Sequence, residues 1–150
     1  MFDSKNAPFI CALFKISRKT FATMFSELEK VKIHPGQPPI LSLLLQQENL
    51  TQIEIANKVC VKPSTIAVVL KKMEKNHLIE KKIDENDRRV FYIKLTEEGK
   101  EIANKTSDIL FNLEQKITES LTVEEKENLI NYLGKIMKNL DDIKKKKEIN

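Results

Sequence analysis

The sequence predicts a mainly α fold that carries one small β-hairpin (α+β overall), and three observations lead there. A threonine capping signature and a proline restart two helices in close succession between Thr51 and Lys75. A polar hexapeptide, Asp84 to Arg89, then separates two short runs rich in β-branched and aromatic residues. Apolar stripes at helical spacing precede and follow this middle part. With 150 residues, 41% hydrophobic and 32% charged, the composition is that of an ordinary globular chain. Three Gly and five Pro place it outside the collagen-like and low-complexity classes.

Taken in order, Asn6 is the expected N-cap of a first helix reaching about Val31. Its stripe is Ile10, Leu13, Phe14, Phe21, Met24, Phe25 and Leu28, interrupted by the polar turn Ser17 to Thr20. His34-Pro35-Gly36-Gln37 breaks it. Pro38 and Pro39 can open the next helix, Ile40 to about Gln47, because their missing N–H groups cost little there. Thr51 and Glu54 have the spacing of a capping box, with Leu50 and Ile55 at the positions of a hydrophobic staple. That helix is expected to end near Lys58. Val59 to Lys62 makes a turn, and Pro63 starts a helix to about Lys75 with Ile66, Val69, Leu70 and Met73 on one side. Leu78–Ile83 and Val90–Leu95 then read as a hairpin with a charged tip. Thr96 caps a further helix with Ile102, Ile109, Leu110, Leu113 and Ile117 on one side. A second capping box, Thr122 with Glu125, opens a last helix through Leu129, Leu133, Ile136, Met137 and Leu140.

Two short helices joined by a tight turn, the second with a polar and basic outer face, match a helix-turn-helix. A hairpin directly after it makes a winged helix. The expected organisation is an N-terminal helix over 1–35, a winged helix-turn-helix over 36–96 and C-terminal helices over 97–150. The outer stripes exceed what a small winged unit can cover, so both flanking parts are expected to pack between two copies of the chain.

Charge follows the same division. The formal net charge is +4, yet Lys58 to Lys94 alone holds ten cationic against five acidic residues, and the chain from Thr96 onward is slightly acidic. Such a local surplus suits a phosphate backbone, although solvated helix faces would also produce it. The longest apolar run near the N-terminus, Ala7 to Phe14, is well short of the roughly 18–20 residues of a membrane span, so no membrane role is expected. Two cysteines imply no disulfide framework, and a reducing cytoplasm is the expected setting. His34 and His77, the two histidines, have no second ligand at useful spacing, so no metal and no cofactor are expected. No phosphate loop, nucleophile elbow or carboxylate pair points to an enzyme.

The wing text Asp84-Glu85-Asn86-Asp87-Arg88-Arg89-Val90-Phe91-Tyr92-Ile93-Lys94-Leu95-Thr96-Glu97-Glu98-Gly99 resembles the signature of the MarR family of transcriptional regulators, Asp-Xaa-Arg followed by Leu-Thr-Xaa-Xaa-Gly. Thr51-Gln52-Ile53-Glu54-Ile55-Ala56 and Pro63-Ser64-Thr65-Ile66 are similar to that family's two helix starts. The resemblance covers nearly the whole chain. It implies a homodimer on a pseudo-palindromic DNA operator, acting as a repressor released by a small-molecule inducer. Carried over by position, Lys62, Pro63, Ser64 and Thr65 begin the recognition helix, with Val68 on its reading face and Lys71 and Lys72 on the backbone. Arg89 becomes the residue of the minor groove with Asp87 bracing its guanidinium, and Arg88 and Lys82 become phosphate contacts.

The sequence departs from that pattern in two places. Ala67 and Val68 stand where many relatives carry Thr or Ser and then Arg, which removes a bidentate reader of guanine; Val68 could instead touch a thymine methyl. Asn76-His77 replaces a Gly before the wing, and Asn76 is expected to take the left-handed backbone. The resemblance places ligand contacts at Phe14, Phe21, Met24, Phe25 and Leu44, all of which serve equally well as core. Some relatives sense peroxides through a cysteine early in the first helix. Cys11 lies one residue off that register, and it and Cys60 read best as packing residues. Two alternatives therefore stay open: a winged-helix module for protein–protein interaction, and a redox-sensing regulator built on Cys11.

Overall fold

The structure is a computed structural model describing residues 8–84, 87 and 89–148, with the side chains of 144–148 excepted. Its elements are α1 (Phe9–Glu29), α2 (Pro38–Gln46), α3 (Gln52–Lys58), α4 (Pro63–Lys75), β1 (Ile79–Ile83), β2 (Phe91–Leu95), α5 (Glu97–Ile117) and α6 (Val123–Glu148). Residues through Phe111 form one compact unit and those from Asn112 onward a second. The expected class holds: a mainly α chain with one antiparallel hairpin.

Asn6, the expected first cap, lies outside the described residues, and α1 starts at Phe9 with Pro8 in the capping position. Ser17 to Thr20, the polar turn within the apolar stripe, is helical like the rest of α1. α2 opens on Pro38 behind Gln37, whose buried Oε1 accepts the His34 N–H at 2.8 Å. Thr51 and Glu54 form both arms of the capping box that starts α3, and the staple residues Leu50 and Ile55 are buried. The Glu54 carboxyl is held below its ordinary value by the Thr51 N–H and hydroxyl donors. Glu125 is lowered in the same way by Thr122 at the start of α6.

Three helices end alike. Lys32, Cys60 and His77 sit at φ 58°, 55° and 57°, each donating to the carbonyl three residues back. The next residue (Ile33, Val61, Leu78) donates to the carbonyl five residues back, the paired bonds of a Schellman motif. His77 therefore takes the left-handed backbone, while Asn76, expected to do so, has φ −91°. The reason is register: the Asn76 N–H still donates the helical bond to Lys72 O, so the reversal falls one residue later.

The core of the first unit gathers Leu28, Ile40, Leu41, Leu44, Ile55, Ile66, Leu70, Met73, Ile93 and Ala103 from α1, α2, α3, α4, β2 and α5. The hairpin pairs Ile79 with Leu95 through Ile83 with Phe91. An unforeseen third segment joins it: the Ile93 N–H donates to Leu50 O at 2.8 Å, tying the wing to the entry of α3. At its base, Thr96 N–H bonds Leu78 O, Thr96 Oγ1–H bonds His77 O, and Thr96 Oγ1 accepts the Gly99 N–H. A Cβ on Gly99 would overlap the Leu78 carbonyl oxygen and come within 2.8 Å of its carbon.

In the second unit, the end of α5 turns through Thr118 and Leu121 into the Thr122–Glu125 capping box of α6. Ile130, Leu133, Met137, Leu140 and Ile143, spaced three and four apart along α6, are all exposed. No helix among the described residues is long and apolar enough to cross a membrane.

Gly99→Ala is expected to cost about 3 kcal/mol or more of stability, since backbone must move to admit the methyl; a chemical-denaturation midpoint within error of wild type would contradict this. The capping glutamates give a pH test. Their carboxyls are lowered on folding, so their contribution is complete above the unfolded glutamate pKa and fades as pH falls through the lower folded value. Glu54→Gln with Glu125→Gln should therefore flatten the loss of stability below about pH 4.5, read from denaturation midpoints at stepped pH.

Candidate nucleic-acid interface

α4 has two sharply different sides. Ile66, Leu70 and Met73 are buried; Lys62, Pro63, Ser64, Thr65, Val68, Lys71, Lys72 and Lys75 are exposed. At roughly 100° per residue, Ser64, Val68 and Lys75 fall within about 40° of one another, opposite the buried ridge. Lys75 belongs to this face although the resemblance did not mark it; the helical period alone identifies it. The start of α4 has Pro63, which carries no N–H, at its first position and no side-chain cap, and the Thr65 and Ile66 N–H groups both donate to Lys62 O.

The turn before α4 is held by the Schellman bonds at Cys60 and Val61 and by Gln52 Nε2–H, which donates to Pro63 O at 3.5 Å. From the other end, Lys81 Nζ on β1 pairs with Glu74 Oε2 at 2.6 Å, joining wing to helix. This leaves Lys81 as a strut, while Lys62, Lys71, Lys72 and Lys75 face outward. Lys94 is likewise engaged, with its cross-strand partner Glu80 at 2.7 Å.

At the wing tip, Asp84 Oδ1 accepts the Asp87 N–H at 2.8 Å and Asp87 Oδ1 accepts the Arg89 N–H at 2.9 Å. Asp84 also hydrogen-bonds Tyr92 and, mainly by its charge, raises that phenol above its ordinary pKa. The expectation that Asp87 braces the Arg89 guanidinium is corrected by this geometry. Its carboxylate is committed to the backbone of the turn, where an Asx bond shapes the tip, and no ion pair joins the two side chains. Arg89 is exposed and borders, with Thr51, Gln52, Lys81 and Phe91, an open recess between the wing and α3. Lys82 is exposed opposite Tyr92, and Arg88 lies outside the described residues.

The other candidates divide. Phe14, Phe21 and Phe25 are exposed and line a groove on α1 with Ser17, Arg18 and Ala22. Met24 packs against the core, and Leu44, 3% exposed, is part of it, so these two do not share that groove. Cys11 and Cys60 are both exposed, which overturns their reading as packing residues. Cys11 follows the outer stripe of α1, and Cys60 occupies the left-handed turn, where its side chain projects from the chain reversal. His34 stacks edge-on with Phe25 and accepts the Gly36 N–H, a structural role. No group of three or more metal-ligating side chains exists among the described residues.

Comparisons with known proteins agree with this layout. The MarR family model matches residues 33–91. The transcriptional regulator SarZ of Staphylococcus epidermidis is 30% identical over 128 residues, which is 81% of this chain and 86% of that protein. Among solved structures, the MepR–DNA complex of S. aureus superposes with a TM-score of 0.83 at 25% identity, covering 89% of this chain and 99% of that one. A mutant MarR from E. coli complexed with operator DNA gives 0.79 at 22% identity, with 90% and 99% covered. These are regulators and not enzymes. With the helix-turn-helix, the wing and the cationic outer face of α4 in one compact unit, the chain belongs to the MarR family of DNA-binding transcriptional regulators.

Proposed function

We propose that the chain acts as a homodimer on a pseudo-palindromic operator in the cytoplasm, represses transcription there, and leaves the DNA when a small ligand binds. The observation that carries the reading is the two-sided α4. Its inner ridge is core, and its outer face presents hydroxyls, a branched apolar group and lysines, while Arg89 is exposed on the wing of the same unit. Dimerisation is supported by two exposed apolar stripes, Phe14, Phe21 and Phe25 on α1 and Ile130 to Ile143 on α6; a second copy would remove both from water. Two reading helices related by such a dyad would meet successive major grooves about one turn apart. Release is supported by Arg18 beside those phenylalanines on α1, since a small aromatic anion taken up there would share this surface with the second copy and so disturb the dimer contact. Such a ligand shifts the protein off DNA only by binding the non-DNA spacing of the two heads more tightly.

Arg89→Ala is expected to weaken operator binding by roughly 1–3 kcal/mol while sedimentation still reports a dimer. An unchanged affinity in fluorescence anisotropy removes the wing from the reading. For the wild type, log affinity should fall steeply and linearly with log salt, whereas a module built for protein contacts would show no such slope. Leu133→Glu combined with Met137→Glu should yield monomers that lose operator binding; a variant that stays dimeric would take α6 out of the interface.

A further inference from the structure

Taking α4 as the helix that enters the major groove, we infer that this protein selects operators whose half-sites place a thymine methyl beneath Val68. Base recognition by α4 then leans on apolar contact with A·T pairs and has no amide or guanidinium grip on guanine. Val68 is 70% exposed at the middle of the outer face, one turn after Ser64 and one turn before Lys71 and Lys72. The first two turns of that face thus offer two hydroxyls, Ser64 and Thr65, and one isopropyl group. None of these is an amide or guanidinium able to grip O6 and N7 of guanine, or N6 and N7 of adenine, with two bonds. Lys62 precedes the helix at its N-cap and Lys71, Lys72 and Lys75 lie beyond, while in this docking geometry the first turns of the helix meet the base edges. A branched apolar side chain standing among lysines gains only where something apolar covers it. In the major groove of a base pair, the thymine methyl is the apolar group on offer.

The wing leans the same way. Arg89 is exposed and its guanidinium is not tied to Asp87, which suits the narrow, electronegative minor groove of A-tracts. Both reading heads therefore favour A·T pairs, by unrelated physics.

The test uses the whole 150-residue chain and begins with selection from a random duplex library. If no sequence enriches and no salt-dependent binding is seen, the DNA-reading function falls, and this inference with it. Given an enriched sequence, each thymine of a half-site is replaced in turn by deoxyuridine, which removes the methyl and keeps the pairing. One thymine per half-site should then show a loss of roughly 3- to 5-fold in affinity, the scale of one buried methyl. Val68→Ala should abolish that sensitivity, binding the thymine and uracil duplexes alike. Three results would overturn the inference while DNA binding stands: G·C pairs at the positions under α4, uracil tolerated at every position, or a thymine preference that survives in Val68→Ala. Val68 takes no part in the core, so the variant should fold, and the uracil arm with wild-type protein needs no variant at all.

Discussion

The junction where Leu78, Thr96 and Gly99 meet holds the wing in register with α4. One carbonyl, that of Leu78, accepts the Thr96 N–H and lies where any side chain at position 99 would collide with it. Thr96 at the same time binds the His77 carbonyl and caps the first turn of α5. Chain leaving α4 and chain returning from the wing are thereby stitched at one point. The hairpin can then project only in the direction its twist dictates. The offset between Arg89 and the outer face of α4 is set by that stitch, by the Lys81–Glu74 pair above it and by the Ile93–Leu50 bond beside it. None of the three involves a residue that would need to touch a ligand.

α4 shows how folding and recognition divide a single helix. Its buried ridge answers to packing, where a missing methylene is felt, while its outer face bears no structural load. Stability therefore sets few limits on the identity of residues 64, 65, 68, 71, 72 and 75. Composition there is free to follow the partner.

Much of the architecture was legible in advance, for reasons that differ by element. The capping boxes at Thr51 and Thr122 and the prolines at 38 and 63 announced their helices because short-range backbone chemistry is written locally. The hairpin was legible from the switch in residue type around a polar hexapeptide. What escaped depends on contacts between distant segments or on competition between neighbours. The Leu50–Ile93 bridge has no local signature. Asp87 could equally serve a guanidinium or an N–H two residues on, and the shorter reach wins. Asn76 has the greater intrinsic tolerance for a left-handed backbone, yet the helical bond it completes passes that conformation to His77. The cysteines looked like small core residues by composition, and only their place on α1 and in the turn reveals them as surface groups. In the site itself, side-chain periodicity identified the outer face, and the resemblance pointed to the wing arginine.

The three chain reversals at Lys32, Cys60 and His77 carry an evolutionary consequence. Each asks an L-residue to hold a mirror-image backbone that glycine would occupy freely, a penalty of order 1 kcal/mol apiece. Such sites form a reserve of thermal robustness that lies apart from the exposed side chains of α4. A lineage moving to a hotter niche could draw on glycine at these bends and leave its regulatory vocabulary untouched.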